Sequence, residues 1–253
     1  LEEVEGEQAL NWVKQQNDLS LAQLKSHSSY QQVYDNTLAI LNDKERIPYA
    51  SERAGYYYNF WRDETRTRGV YRRTTFEEYQ KASPKWETVL DVDELAKQEN
   101  ENWVYKGMSC HYPAYQRCLL SLSRGGADAT VVREFDIVSK SFVKDGFSLP
   151  EAKNAIGWFD ENTVFVGTDF GPGSMTDSGY PAVVKLWQRG TALADAKTLF
   201  TADKSSVSAA GYTAYDSETP YHFIFDGTSF YTRDMYLVQN GKRIKLAIPA
   251  DSS

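Results

Sequence analysis

After Pro48 the sequence carries one pattern four times, and this recurrence limits the folds open to the chain more than any other feature. Runs rich in Tyr, Phe, Trp, Val and Thr are broken by Gly, Asp, Asn and Ser. Tyr56–Leu95 holds a strand (YYYNFW), a charged turn, a second strand (GVYRRT) and a TVLDVD end. Trp103–Phe142 repeats it as WVYKGMSC, RCLLSLSRGG and TVVREFDIVSKSF. Ala155–Phe200 gives AIGWFDENTVFVGTD, AVVKLWQRG and KTLFTAD. Ala209–Ile248 gives AGYTAYD, YHFIFDG, SFYTRDMYLVQNG and KRIKLAIPAD. The repeat starts lie 47, 52 and 54 residues apart. Short strands at even spacing suggest a sandwich, a barrel or a propeller. A period of about 40–50 residues with several strands per repeat fits propeller blades best. The expected fold is therefore mainly β, with about four blades near 46–95, 100–148, 152–203 and 206–253.

Residues 1–44 have a different texture, with no Pro, one Gly and many Gln, Leu and Ala. Ala9, Trp12 and Val13 fall at i, i+3 and i+4, an apolar helix stripe. Asp18 or Ser20 is placed to cap a second short helix carrying Leu21 and Leu24. Ser28 or Ser29 is placed to cap a third, with Tyr30, Val33, Tyr34, Leu38 and Leu41 on one face. Asn42-Asp43 and Pro48 end the pattern. A short helical segment, 1–44, is thus expected ahead of a β region spanning 45–253.

Charge and composition remove several function classes. The net charge is −7, against the basic face that general nucleic-acid binding needs. No apolar run approaches the ~18 residues of a spanning helix. Residue 1 is not Met and no signal peptide is evident, which suggests a processed start or a boundary. Cys110 and Cys118 are the two cysteines, too few for a disulfide scaffold or a four-thiolate zinc site. Their pairing, and the compartment, stay open.

The chemistry-bearing residues read mostly as structural. Ser121-Leu122-Ser123-Arg124-Gly125-Gly126 is the nearest approach to a nucleophile elbow. It lacks the first Gly, and a strand rather than a helix follows, so Ser123 is read as a turn residue. His27, His111 and His222 are read as packed or polar, with no pair spaced for a metal or a triad. Asp160-Glu161 and Asp91-Val92-Asp93-Glu94 lack calcium-loop spacing and read as turns. Arg62, Arg66 and Arg68 form one basic turn and Arg72 and Arg73 another; either could pair a peptide carboxylate bidentately, but both read as solvated or salt-bridged turns. Gly167–Gly173 has the glycines of a phosphate loop without its Lys-Ser/Thr pair. No metal and no cofactor are expected.

Segment order adds a resemblance. LEEVEGEQALNWVKQQN, with Leu1-Glu2, Trp12-Val13 and Gln16-Asn17, resembles the N-terminal segment of the prolyl oligopeptidase family. IPYASERAGYYYNFWRDETRTRGVYRRTT resembles that family's first blade. LSLSRGGADATVVREFDIVSKSFVKDGFSLPEAKNAIGWFDENTVFVGTDFG resembles a bacterial branch of it, through Arg133–Asp136, Pro150–Lys153 and Trp158–Asp160. The resemblance implies a serine peptidase in which a seven-bladed propeller caps an α/β-hydrolase domain. The chain then looks like a fragment: helices that would pack on the hydrolase, then part of the propeller. The catalytic Ser, Asp and His are expected beyond residue 253, so the chain itself should be inactive. Loops at one propeller face would look toward the active-site cavity, which makes 168–180 a substrate-gating loop, with Asp169, Phe170, Ser174, Thr176 and Asp177 as its candidate residues. The implied partners are a short peptide substrate, the missing hydrolase domain and a second copy of the chain meeting open blade faces, but neither nucleic acid nor membrane. The rival reading is a stand-alone propeller that binds or scaffolds.

Overall fold

The computed structural model describes residues 6–43, 45–215 and 217–252, so the acidic Leu1-Glu2 start lies outside the described residues. The chain divides into two compact units, 1–48 with 63–65 and 49–62 with 66–253.

The first unit holds helices α1 (Glu7–Ser26) and α2 (Tyr30–Leu41). The break expected at Asp18 or Ser20 does not occur. Asp18 forms an i,i+4 ion pair with Lys14 at 3.2 Å instead of capping a new helix, and neither Gly nor Pro interrupts the run. His27 ends α1, and its Nδ1 accepts the Ser29 amide at 3.2 Å. No residue of either helix is buried. No helix among the described residues is long and apolar enough to cross a membrane.

The second unit consists of four antiparallel sheets in chain order. The first is β1 (Ser51–Arg53), β2 (Tyr56–Trp61), β3 (Val70–Thr74) and β4 (Glu87–Asp91). The second is β5 (Trp103–Cys110), β6 (Arg117–Arg124), β7 (Thr130–Asp136) and β8 (Ser141–Phe142), with β9 (Ser148–Ala152) also on β7. The third is β10 (Ala155–Asp160), β11 (Thr163–Gly167), β12 (Val183–Gln188) and β13 (Lys197–Thr201). The fourth is β14 (Ser208–Ala214), β15 (Tyr221–Gly227), β16 (Asp234–Gln239) and β17 (Lys242–Lys245).

Strand alternation explains how the sheets stack. Successive side chains leave a strand on opposite faces. In β6, Cys118, Leu120 and Leu122 enter a core with Tyr58, Tyr71 and Trp103 of the first and second sheets. Leu119, on the other face, enters a second core with Phe147, Trp158, Val164 and Val166. Phe165 lies between those two valines in sequence and turns into a third core with Ala209, Ile224 and Val238. The middle sheets are therefore buried on both faces. The fourth sheet is buried on its Ile224 face. Its opposite face carries Tyr212 beside Phe223 and Leu237 beside Ile244, and Tyr212 and Ile244 are exposed.

Two helices interrupt the repeats and were not legible as such. α3 (Phe76–Tyr79) is capped by Thr75, whose hydroxyl accepts the Glu78 amide. α4 (Val92–Glu99) is capped by Asp91 and buries Val92, Leu95 and Ala96. The DVDE acidic stretch is thus a helix start. Asp93 also accepts the Arg68 and Gly69 amides at 3.1 Å.

The first strands of neighbouring sheets approach closely, and glycine permits it. A Cβ at Gly157 would stand 2.8 Å from the Gly211 carbonyl oxygen, and one at Gly211 would run into the Phe165 ring.

Candidate functional site

The connection from β11 to β12, residues 168–182, is long and tied down along its length. Its start is set by Thr168, whose hydroxyl donates to Asn154 Oδ1 at 2.5 Å. Asp169 Oδ1 accepts the Gly171 amide at 2.8 Å, a local turn that short polar side chains favour. Ser174 is buried; its hydroxyl donates to the Gly171 carbonyl at 2.6 Å and accepts the Phe170 amide at 2.9 Å. Thr176 is buried too, donating to the Val207 carbonyl at 2.9 Å. The Asp177 amide donates to the Lys204 carbonyl. The Lys185 ammonium lies 4.0 Å over the Phe170 ring, and that of Lys153 lies 4.1 Å over Tyr180.

The five candidate residues therefore divide in two. The Ser174 hydroxyl is consumed inside the loop and that of Thr176 by Val207, ahead of β14. Asp169 and Asp177 are exposed and Phe170 half-buried, so two carboxylates and one aromatic edge are what this connection offers to a ligand.

The same connection leads to a cavity. Val207, which accepts from Thr176, donates its amide to Gly227 at 2.7 Å. Val207 and Gly227 line a cavity of about 380 Å³ on the fourth sheet, with Phe225, Arg233, Phe230 and Tyr231. Phe230 and Tyr231 are 84% and 85% exposed. Sequence reading passed over this pair. The available signal was two adjacent aromatics in a turn, where both cannot face a core.

The groups a hydrolase would use are spoken for. Ser123 is fully buried and donates to the Ala127 carbonyl at 2.8 Å. His222 stacks on Phe159, ring centroids 3.7 Å apart. Thr213 Oγ1 donates to the Trp158 carbonyl and lies 2.9 Å from His222 Nδ1. The threonine therefore accepts there, which puts the ring proton on Nδ1. Burial lowers the pKa of His222 below the ordinary value, as it does for His111, where Glu161 and Asp160 pull the other way. His111 meets Trp158 edge-on at 5.3 Å. Asp160 Oδ1 accepts the Asn162 amide. Among the described residues no group of three His, Cys, Asp or Glu side chains is arranged to hold a metal ion.

The basic turn is likewise engaged internally. Arg66 pairs with Asp91 at 3.2 Å, and Arg68 donates to Asn102 and to the Trp103 carbonyl. Arg72 is sandwiched between the Trp61 and Trp86 rings at 4.5 and 4.3 Å. Arg73 grips Glu87 at 2.7 and 3.3 Å, and with Lys140 lowers that carboxyl's pKa to about 2.

Comparison with known proteins gives these features a context. Residues 1–246 match the model of the prolyl oligopeptidase N-terminal beta-propeller domain. An uncharacterized peptidase of Sinorhizobium fredii is 39% identical over 256 residues, covering 98% of this chain and 35% of the relative. An uncharacterized peptidase of Rickettsia prowazekii is 32% identical, covering 100% of this chain and 37% of the relative. The chain thus spans little more than a third of the length of these curated relatives. Among solved structures, a post-proline cleaving enzyme from Rickettsia typhi superposes with a TM-score of 0.91 at 31% identity, over 99% of this chain and 38% of that one. Oligopeptidase B from Leishmania major shares the fold, with a TM-score of 0.64 at 15% identity over 91% of this chain and 31% of that one.

Proposed function

The chain belongs to the prolyl oligopeptidase family, matching its N-terminal β-propeller domain, and on that premise we propose that it is the substrate filter of a serine-type oligopeptidase. Its four sheets are the first blades of a larger, seven-bladed ring. That ring admits short peptides to a catalytic α/β-hydrolase domain supplied by a longer protein, and keeps folded proteins out. The observation that carries this reading is the match in extent: nearly the whole chain aligns with little more than a third of two peptidases. Two features of the molecule support it. Ser123 is held by a hydrogen bond, and His111 and His222 are packed on aromatic rings. The apolar stripes of α1 and α2, including Trp12, Val13, Val33 and Leu38, are exposed, a face suited to a second domain. In the connection 168–180, Asp169, Phe170 and Asp177 meet the passing peptide, while Ser174 and Thr176 hold the loop's shape.

The test compares this chain with the full-length product of its gene. A fluorophosphonate probe should label the full-length protein and leave this chain unlabelled, and only the former should cleave short proline-containing peptides. A full-length product that neither takes the probe nor cleaves such peptides overturns the reading in favour of a binding or scaffold propeller.

We also infer that the isolated chain associates through the bare face of its fourth sheet, with Tyr212, Phe223, Leu237 and Ile244 meeting the same face of a second copy. Light scattering over a dilution series reads this directly. A monomer at every concentration, or a dimer untouched by Ile244→Lys, removes it.

A further inference from the structure

Cys110 and Cys118 are directly opposed across β5 and β6 and form a disulfide. The segment they enclose, 111–117, is also closed by ladder bonding, since the His111 amide donates to the Arg117 carbonyl at 2.8 Å. A cross-link around so short a loop restrains the unfolded chain little compared with one around a long loop. Its place suggests a local task.

The enclosed loop reaches three sheets. His111 lies edge-on to Trp158 of the third sheet at 5.3 Å. Tyr112 packs on Tyr215, which follows β14 of the fourth sheet, with centroids 4.8 Å apart, and Tyr115 packs on Tyr112 at 5.8 Å. The Trp158 indole N–H crosses back to the Ser109 carbonyl, next to Cys110, at 2.9 Å. An aromatic seam therefore runs over the ends of the first strands of the second, third and fourth sheets. The seam has a built-in cost. The Tyr215 hydroxyl is shut off from water beside Thr213, and its burial raises its pKa; a desolvated hydroxyl favours any motion that hydrates it.

We propose that the Cys110–Cys118 disulfide is a reversible redox latch that holds the 111–117 loop over this seam. The co-reactant is a dithiol reductant. Cys118 is fully buried and Cys110 half-buried, so attack falls on Cys110. A thiolate of the dithiol bonds to Cys110 Sγ, the Sγ–Sγ bond breaks, and Cys118 leaves as a thiolate that takes up a proton. The second thiol of the reductant then attacks its own mixed-disulfide sulfur and releases Cys110 as a thiol. The protein gains two electrons and two protons, and the dithiol becomes a cyclic disulfide. With the link open, residues 115–117 stay tied to β7 through Gln116–Asp136, Arg117–Asp136 and the Ile137 amide on the Gln116 carbonyl, while 111–114 keep mainly their ring contacts and are free to lift from the seam. The proposal does not depend on the peptide-filter reading.

Hydrogen exchange with mass spectrometry on the whole chain tests it, before and after treatment with dithiothreitol under native conditions, with thiol alkylation as the control. The expected result is alkylation of both cysteines and exchange in 111–114 at least tenfold faster. The segment containing Tyr215 should be faster too, β6 and β7 unchanged, and reoxidation should restore the first rates. Cys110→Ser/Cys118→Ser should exchange like the reduced protein without reductant. Three results overturn the latch: no alkylation short of unfolding, alkylation with unchanged exchange in 111–114, or acceleration throughout β6 and β7, the last marking a global brace.

Discussion

The helices α1 and α2 and the middle strands β6 and β7 are both patterned to be buried, yet they end differently. The helices carry Leu10, Trp12, Val13, Leu24, Val33 and Leu38 and bury none of them. β6 and β7 bury Leu119, Leu120, Leu122, Val132 and Phe135 almost completely. Each repeat of the sheet region supplies the opposing face for the one before it, so apolar alternation is satisfied within the chain. The helical stripe has no such repeat. Patterning records what a segment needs, and whether the need is met depends on what else is present. Most helical stability in proteins comes from packing of the apolar face rather than from propensity. The helices of the isolated chain should therefore be the low-stability part of the molecule.

Charge pairs expose this contrast most sharply. Glu134, its side chain fully buried, receives Arg189 at 2.7 and 2.9 Å, and also accepts the Phe147 amide at 2.9 Å. Lys14 and Asp18 on α1 are 76% and 67% exposed. Removing Glu134 leaves the buried Phe147 amide without its acceptor and the partly exposed Arg189 without its carboxylate, each worth about 1–3 kcal/mol, whereas an exposed helix pair is worth about 0.3–0.5 kcal/mol. Glu134→Ala should thus lower the urea midpoint of the sheet region severely, and Lys14→Ala should leave it where it was. Equal effects would dissolve the distinction between the two regions.

The next effect is steric. Gly211 sits where a side chain would strike Phe165, inside a core where overpacking costs typically 1–3 kcal/mol. Gly211→Ala should destabilise by that amount, read by denaturation followed through tryptophan fluorescence. The same change at Gly241, a φ +70° turn with open space around it, isolates backbone strain from collision. If the two cost the same, close approach of the first strands is not what Gly211 secures.

How much of this was legible follows from range. The four-fold recurrence was readable because strand alternation and turn residues are local signals. Gly157 and Gly211 occupy the same place in AIGW and AAGY, but only the stacking of β10 on β14 shows why. α4 was missed because Val92, Leu95 and Ala96, an i, i+3, i+4 stripe, directly follow the strand residues Val89 and Leu90. The break predicted in α1 failed because a cap residue is a signal only when the chain actually turns there. In the candidate loop, Ser174 and Thr176 read as gating residues alongside Asp169, Phe170 and Asp177. The consumption of their hydroxyls inside the fold depends on Gly171 nearby and Val207 far along the chain, and only the second is beyond local reading. The Cys110–Cys118 pairing was left open because spacing alone does not say whether two strands put those residues opposite one another.

A pH change probes the sheet region more gently. His222 has its pKa lowered by burial, with Asp160 opposing. A base whose folded pKa is depressed binds protons more readily when unfolded. Its contribution to stability is full above the unfolded value of about 6.5 and is lost as pH falls through the folded pKa. Acidification below about pH 6.5 should therefore loosen the stack on Phe159 and the bond to Thr213. His222→Phe should flatten that part of the pH–stability curve. A curve unchanged by His222→Phe would assign the acid sensitivity elsewhere, with His111 next in line.

The smallest effect expected is the one that makes the comparison specific. Val33→Ser and Leu41→Ser replace exposed apolar side chains on α2. Exposed positions away from caps and cores change stability by no more than about 0.5 kcal/mol, so both should be near silent in the isolated chain. Burying a Val or Leu side chain contributes about 1.5–3 kcal/mol. If a further domain of a longer protein covers this stripe, the same two changes should each cost about that much there, measured as loss of domain association or of melting temperature. Silence in both settings would mean that the stripe is never covered. A large cost in the isolated chain would mean that α2 already has a partner within it, and the contrast between helices and sheets would then be one of degree.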